Sequence, residues 1–378
     1  MEQKQTSPLE LYIHIPFCIK KCDYCDFLSG PADEKSQEAY VRALLGEIDA
    51  VGAEAERPVT SIFVGGGTPS VLSPVLMGQI FETINKKFLI TPDAEITMEA
   101  NPGTLSAKKL EAYKAMGINR LSLGLQSPDD RELKILGRIH NYQQFLESYF
   151  LARETGFANI NVDLMCAIPG QTYQGWMENL KTVASLAPEH ISAYSLIVEE
   201  GTPFAGRPLN LPDEETEYRM YEDTMPVLAD YGYEQYEISN YAKAGKACKH
   251  NIGYWKRTDY LGIGLGAASL LGSRRFSNTR SMEEYLQKSC FPEKIRRGWQ
   301  TLSKEDAMAE FMFLGLRMTK GISRGEFREA FGCTVESIYG LVLEKYKNMA
   351  LLVEKDGRIF LSRKGIHVSN SIMSEFLL

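Results

Sequence analysis

The sequence predicts an α/β fold, in which a parallel sheet forms a partial barrel and a small α+β domain of winged-helix type follows it. Two observations predict this fold. Six short apolar runs alternate with helical segments over the first half of the chain. Three short helical segments and a hairpin signal then occupy the C-terminal fifth.

The six apolar runs have the composition of buried strands. Each is rich in Ile, Val, Leu or Tyr and ends at Gly, Pro or polar residues. Helical segments separate consecutive runs, which predicts a parallel sheet with right-handed crossovers. Six strands are too few for a closed eight-stranded barrel, so we expect a partial barrel or an open sheet. The runs are LYIHIPF (11–17), SIFVGGG (61–67), AEITMEA (94–100), RLSLGLQ (120–126), NINVDLMCAI (159–168) and HISAYSLI (190–197).

The alternation defines three predicted segments: a barrel at 1–210, a helical and Gly-rich connecting region at 211–302, and a C-terminal domain at 303–378. In the last segment, Asp356-Gly357 between two short apolar runs is a hairpin signal, and helices before a hairpin suggest a winged helix. This segment has 11 Lys+Arg and 10 Asp+Glu. A DNA-reading wing is usually more basic, so we favour a structural or lid role.

The composition is typical of a globular protein. The 378 residues are 44% hydrophobic and 24% charged, which excludes a disordered chain, a collagen-like fibre and a small disulfide scaffold. The net charge of −7 argues against wrapping nucleic acid. The polar N-terminus has no secretory signal, so we expect a cytosolic location, where the seven cysteines are thiols or metal ligands.

Three of those cysteines, Cys18, Cys22 and Cys25, lie within eight residues directly after the first predicted strand. This spacing favours a metal site, with a redox pair at Cys22 and Cys25 or coincidence as alternatives. Structural zinc requires four ligands, usually from two close pairs, and no second C-x-x-C is present. Iron–sulfur clusters take thiolates, and three of them leave one iron open for a small molecule. We expect the other four cysteines to be small buried hydrophobes.

The ends of the other predicted strands carry glycine and polar side chains. In a barrel these ends converge on one mouth. The second run ends in GGGTP, where absent Cβ atoms let a ligand approach the backbone. The remaining candidates are Glu99 on the third run, Gln126 on the fourth, Arg138 after it and Asp163 on the fifth.

These motifs resemble those of the radical S-adenosylmethionine (AdoMet) proteins. YIHIPFCIKKCDYC resembles their C-x3-C-x2-C loop. GGGTPS, EANPG, LSLGLQS and LGRIH resemble the branch that contains oxygen-independent coproporphyrinogen III dehydrogenase and the heme chaperones of the HemW family. The likeness covers residues 10–375, almost the whole chain, and implies a partial (β/α)6 radical-SAM barrel.

The resemblance also implies cofactors and their ligands. Cys18, Cys22 and Cys25 are expected to hold a [4Fe-4S] cluster whose open iron binds the amino and carboxylate groups of AdoMet. A guanidinium and a carboxylate suit such a zwitterion. Positions that match contacts of this AdoMet are Tyr12, Gly66, Gly67, Thr68 and Glu99. Positions that match contacts of a second AdoMet in the dehydrogenase are Gln126, Arg138 and Asp163.

Two departures favour the chaperone side of the branch. The fourth cysteine of the dehydrogenase is replaced by Phe27, and only 17 residues precede the first cysteine, where the dehydrogenase has a longer extension. The segment from His250 to Trp255 resembles the H-N-x-x-Y-W motif of the chaperones. His250 is therefore a candidate axial ligand of heme. The competing histidines are His14, His140, His190 and His367.

The leading hypothesis is a heme chaperone that delivers heme to client hemoproteins. An electron donor such as a flavodoxin or ferredoxin is implied, and a homodimer or peripheral membrane association through clients is left open. In the family, reductive cleavage of AdoMet gives methionine and a 5′-deoxyadenosyl radical. The enzymatic alternative is oxidative decarboxylation of coproporphyrinogen III. A nucleic-acid regulator acting through the C-terminal module is a third hypothesis, which its near-neutral charge disfavours.

Overall fold

The computed structural model of the protein describes residues 7–52 and 57–378. All six predicted strands form, and they pair in parallel in chain order. The predicted α/β fold with a parallel sheet is confirmed. The strands are β1 (Leu9–Ile15), β2 (Pro58–Gly66), β3 (Leu89–Ala100), β4 (Arg120–Gln126), β5 (Ile160–Cys166) and β6 (His190–Ser195).

Helices connect these strands and begin at side-chain caps. Ser73 accepts a hydrogen bond from the Leu76 N–H, and Asn141 with Gln144 forms a reciprocal capping box. Gly117 and Gly156 adopt positive φ angles of 91° and 89° just after two of the helices, where glycine costs little. The helices are α1 (Glu34–Gly52), α2 (Pro74–Lys87), α3 (Ala107–Ala115), α4 (Asp130–Ile135), α5 (Tyr142–Glu154) and α6 (Tyr173–Ser185).

The two faces of the barrel strands differ in chemistry. In β1, Leu9, Leu11 and Ile13 pack in the main hydrophobic core between sheet and helices. The alternate residues are polar and face the inside of the barrel. Because side chains alternate along a strand, one strand supplies both the outer core and a polar lumen. Inward-facing polar residues on the other strands include Glu99, Arg120, Ser122, Asn161, Asp163 and Ser192.

The region 211–302 extends this sheet at both edges, although the sequence analysis placed no strand there. The sheet has 12 strands among the described residues, in the order β12-β11-β10-β9-β1-β2-β3-β4-β5-β6-β8-β7. The added strands have at most six residues each and lack a clear apolar period, so the composition gave little signal. These strands belong to the same sheet as the barrel strands. The domain boundaries predicted at 210 and 302 remain predictions. The added elements are α7 (Glu214–Ala229), β7 (Glu234–Glu237), β8 (Asn240–Ala242), α8 (Lys249–Trp255), β9 (Tyr260–Ile263), β10 (Ala268–Leu271), β11 (Arg274–Asn278), α9 (Met282–Lys288), α10 (Pro292–Ile295) and β12 (Arg296–Thr301).

The C-terminal segment has its own hydrophobic core of helices and a three-stranded sheet. The predicted hairpin forms, with Asp356 and Gly357 both at positive φ, 51° and 72°, as a type I′ turn requires. Across the described part of the chain, no helix has the length and apolar character needed to cross a bilayer. The elements are α11 (Lys304–Gly315), β13 (Ile322–Ser323), α12 (Arg324–Phe331), α13 (Val335–Asn348), β14 (Leu352–Lys355), β15 (Arg358–Leu361), α14 (Arg363–His367) and α15 (Ser369–Ser374).

Candidate functional site

A cavity of about 540 Å³ occupies the inside of the barrel and reaches the cysteine loop after β1. Most of the predicted site residues line it, although they come from five different strand ends and loops. Tyr12 and His250 are not among the lining residues. Those that line the cavity are Cys18, Cys22, Cys25, Gly66, Gly67, Thr68, Glu99, Gln126, Arg138 and Asp163.

The cysteine loop is held against the end of β1 by backbone hydrogen bonds. The Cys18 N–H donates to the Gly30 carbonyl at 3.0 Å, and the Gly30 N–H donates to the Pro16 carbonyl at 3.0 Å. Burial raises the pKa of the Cys18 and Cys25 thiols. A metal would therefore have to stabilise their thiolate forms.

The donor set fits an iron–sulfur cluster. Three sulfur atoms face one cavity, with the Phe27 side chain at the position of the branch's fourth cysteine. Within residues 7–52 and 57–378, no three Cys, His, Asp or Glu side chains are placed to hold a single metal ion. In a multi-iron cluster each thiolate binds a different iron, so its ligands need not converge on one point.

The glycine-rich loop after β2 lies directly on the end of β1. The Gly67 N–H donates to the Ile15 carbonyl at 2.8 Å, and the Thr68 N–H donates to the Phe17 carbonyl at 2.6 Å. A Cβ atom on Gly67 would lie 2.5 Å from the Phe17 carbonyl oxygen. Gly66 has a φ of 108°, which disfavours any side chain. The glycines therefore allow this close approach and leave backbone exposed to the cavity.

Glu99 faces the cavity beside this loop. Its carboxylate accepts a hydrogen bond from the Gly66 N–H at 3.1 Å. Burial, with a smaller effect of the nearby Asp163 carboxylate, raises the pKa of Glu99 to about 8. The same carboxyl group can therefore be neutral without a ligand and charged once a cationic ligand approaches.

Tyr12 lies behind this cavity wall. Its hydroxyl is 3.0 Å from His14 Nδ1, and His14 Nε2 is 2.9 Å from the Leu28 carbonyl oxygen. Because a carbonyl only accepts, Nε2 carries the proton and Nδ1 accepts from the Tyr12 hydroxyl. The structure thus places Tyr12 in a chain of hydrogen bonds that reaches the cysteine loop at Leu28.

The predicted second group of ligand residues meets at the other side of the mouth. Arg138 donates to the Asn101 side chain at 2.7 Å and to the Gly124 carbonyl, and it lies 3.6 Å from Cys22 Sγ. The Gln126 side-chain oxygen accepts from the Tyr194 hydroxyl at 2.7 Å.

Asp163 lies deeper in the same cavity. Its carboxylate accepts hydrogen bonds from Asn161 at 2.7 Å and Ser122 at 3.2 Å. Burial raises the pKa of Asp163. Arg138 and Asp163 therefore offer one cationic and one acidic partner to the same cavity.

His250 lies outside the cavity, at the start of α8, with 1% of its surface exposed. Its Nδ1 is 2.8 Å from the Ser61 hydroxyl and its Nε2 is 3.1 Å from the Tyr254 hydroxyl. Burial, reinforced by the Arg120 charge, lowers the pKa of His250 to about 3. Both ring nitrogens are thus engaged in the described structure.

The sequence analysis missed many residues that line the cavity, among them Arg120, Asn161 and Asn251. Arg120 and Asn161 could have been predicted, because polar residues recur at every second position of their strands. Arg120, Ser122 and Gln126 do so in β4, and Asn161 and Asp163 in β5. Asn251 lies on α8, and its approach to the barrel follows from tertiary packing alone.

Comparisons with known proteins agree with this geometry. Residues 12–183 match the model of the Radical SAM superfamily, and residues 302–368 match the model of the HemN C-terminal domain. The first match covers most of β1, strands β2 to β5 and the cysteine loop, and the second covers most of the C-terminal module.

Two relatives are similar over most of their length. The heme chaperone HemW of Bacillus subtilis (strain 168) is 38% identical over 373 residues, which cover 97% of this chain and 98% of the relative. The heme chaperone HemW of Escherichia coli (strain K12) is 39% identical over 327 residues, 85% of each chain. The solved structure of coproporphyrinogen III oxidase (HemN) from Escherichia coli has a TM-score of 0.86 at 23% identity, with 98% of this chain and 90% of that chain covered, and shows the same fold.

Proposed function

The chain belongs to the HemW family of heme chaperones, within the radical SAM superfamily, and on that premise we propose that it binds heme and transfers it to client hemoproteins. The observation that carries the proposal is the 38% identity over 97% of the chain to a HemW heme chaperone. A likeness that spans both the barrel and the C-terminal module supports an equivalent role for the whole protein.

The cysteine loop supports the chaperone over the dehydrogenase. Phe27 occupies the position of the branch's fourth cysteine, and its side chain is 58% exposed at the cavity rim. An exposed phenylalanine cannot act as a thiol, so the loop lacks a group that the dehydrogenase resemblance would require. The same ring adds apolar surface beside the cluster position.

The chain's own residues fit the cofactors of the superfamily. When bound, a [4Fe-4S] cluster with AdoMet supplies one-electron chemistry and a source of radicals. Cys18, Cys22 and Cys25 would hold the cluster. The backbone of the glycine-rich loop, with Glu99, would bind the AdoMet on the cluster. Gln126, Arg138 and Asp163 would bind a second AdoMet.

The position of His250 adds a condition to its predicted role as heme ligand. To bind heme iron, the imidazole would have to give up its hydrogen bond with Ser61 or with Tyr254. Movement of α8 would therefore accompany ligation by His250. Heme binding without such movement would use a different ligand.

Further parts of the proposal are a cytosolic location and reduction of the cluster by a flavodoxin or ferredoxin. Lys20 and Lys21 are exposed at the cavity rim beside Cys22, where they would attract an acidic donor. A homodimer and contact with membranes through client proteins also belong to the proposal.

The test is a heme-transfer assay under exclusion of oxygen. Reconstituted protein is titrated with heme, followed by its Soret band, and then mixed with heme-free apomyoglobin as acceptor. We expect heme to bind and then to move to the acceptor. The His250→Ala variant tests the ligand, because loss of an axial imidazole shifts and weakens the Soret band.

A second incubation contains AdoMet, a reductant and coproporphyrinogen III. We expect no protoporphyrinogen to accumulate. Steady turnover of coproporphyrinogen III, with no heme bound in the titration, would contradict the chaperone proposal and support the enzymatic alternative.

A further inference from the structure

Arg120 is a buried guanidinium that faces the cavity from the first position of β4. Only 2% of its surface is exposed, and it is one of the cavity-lining residues. Its Nε atom has no hydrogen-bond partner. No other residue in the described ranges 7–52 and 57–378 forms an ion pair within 4.0 Å with it.

The acidic groups around Arg120 already bind other donors. Glu95 accepts hydrogen bonds from the Cys248 thiol and from the backbone N–H groups of Lys249 and His250 at the start of α8. Asp163 accepts from Asn161 and Ser122. These carboxylates therefore lie near Arg120 without satisfying its N–H groups.

A buried charge without hydrogen bonds is expensive, because it has lost water and gained no partner. The other arginine of the cavity also has an unpartnered Nε, but its terminal nitrogens are hydrogen-bonded. Arg138 donates to Asn101 and Gly124 and approaches Cys22 near the mouth. Arg120 lies near Cys248, Glu95 and Asp163, and its side chain lines the cavity without a hydrogen-bond partner for Nε.

We propose that Arg120 forms a second anion-binding subsite, at the α8 end of the cavity, which takes the carboxylate of a small-molecule ligand. A guanidinium matches a carboxylate because two parallel N–H groups can donate to its two oxygens. Two ligands of the proposed function carry carboxylates: AdoMet has one on its amino acid part, and heme has two propionates. The choice of these two candidate ligands rests on the proposed function.

The experiment measures binding of three probes to anaerobically reconstituted protein: AdoMet, heme, and heme dimethyl ester, in which both propionates are masked. Arg120→Gln removes the charge, and Arg120→Lys keeps the charge without the planar fork. Arg131→Gln is the matched control, since its side chain is 88% exposed and pairs with Asp129 at the surface. Circular dichroism and thermal melting confirm that each variant folds.

We expect Arg120→Gln to weaken one carboxylate ligand at least about tenfold, Arg120→Lys to weaken it less, and Arg131→Gln to leave it unchanged. A loss for AdoMet alone assigns the subsite to the amino acid carboxylate. If the variant loses affinity for heme, and heme dimethyl ester binds the wild type and the variant equally weakly, the subsite binds a propionate.

Unchanged affinities for both AdoMet and heme in the folded Arg120 variants would overturn the subsite. If Arg120→Gln fails to fold, Arg120→Lys decides by the same measurements. Wild-type protein that binds no heme would overturn the proposed function instead, and the AdoMet measurements would still decide the role of Arg120.

Discussion

Phe63 stacks on His250, with the ring centroids 5.2 Å apart and 26° between the planes. Phe63 lines the cavity and His250 does not, so the phenylalanine ring separates the imidazole from the ligand space. The histidine that the sequence marks as a heme ligand is also the residue that joins α8 to β2 through Ser61. A structural role for His250 therefore exists before any heme is bound.

We expect His250→Ala to lower the free energy of unfolding by about 1–3 kcal/mol, the cost of leaving buried polar partners unsatisfied. Denaturant unfolding of the heme-free protein measures it. A double-mutant cycle with Ser61→Ala should give a coupling energy of about 0.5–3 kcal/mol. A stability equal to that of the wild type would show that the two hydrogen bonds contribute little.

Gly253→Ala should destabilise the protein by about 1–3 kcal/mol, as overpacking does. A Cβ atom at this position would lie 2.0 Å from Glu10 Oε1. The control is Gly340→Ala in α13, where the added Cβ meets nothing within 4 Å. There we expect a gain of about 0.5–1 kcal/mol, because alanine favours a helix over glycine. Equal effects at both positions would contradict the packing of α8 on β1.

The carboxyl group of Glu10 makes stability depend on pH. Burial raises its pKa to about 8, an effect that the Ser61 hydrogen bond partly offsets. The folded protein therefore keeps a proton that the unfolded chain releases above its ordinary value of 4.5. Because the folded state binds more protons in this window, stability should fall as the pH rises from 4.5 to 8. At neutral pH, Glu10 and His250 are both uncharged, and their 3.8 Å approach is not an ion pair.

Glu10→Gln removes this titration while keeping the side-chain shape. We expect the variant to gain stability relative to the wild type as the pH rises through the window. The gain is on the order of 1.36 kcal/mol for each tenfold change in the acid dissociation constant of Glu10, and several kcal/mol at most. Chemical unfolding at several pH values measures the difference. Burial also raises the pKa of Glu47 to about 7 and that of Glu99 to about 8, but both residues are present in the wild type and the variant, so their effects cancel. A difference that does not change with pH would show that Glu10 is ionised in the folded state.

Each of Cys18→Ala, Cys22→Ala and Cys25→Ala should lower bound iron at least about tenfold, the scale on which even outer-shell changes weaken metal sites. Iron analysis and the brown absorbance of anaerobically reconstituted protein measure it. Cys166→Ala is the control, because that buried thiol contacts Ser195 and does not line the cavity. Zinc in place of iron in the wild type would contradict the cluster assignment.

The barrel strands and the cysteine loop could be predicted because their signals are local. An apolar run bounded by turn residues, or three cysteines in eight positions, is complete within a short stretch of chain. The short strands of 211–302 had no such signal, because their structure depends on pairing with the edge strands β1 and β6 of the barrel. Arg120 was overlooked for another reason: the site candidates were taken from the ends of the runs, and Arg120 is the first residue of β4.

The sequence by itself determined the order of strands and helices, the three thiols of the cluster loop and the likeness to one protein family. Only the tertiary structure decided that Arg120 lines the cavity and that His250 is covered by Phe63. Contacts of this kind join β2, β4 and α8, which are far apart in the chain. No local pattern of residues encodes the distances between such elements, because these distances arise when the sheet curves around its polar interior.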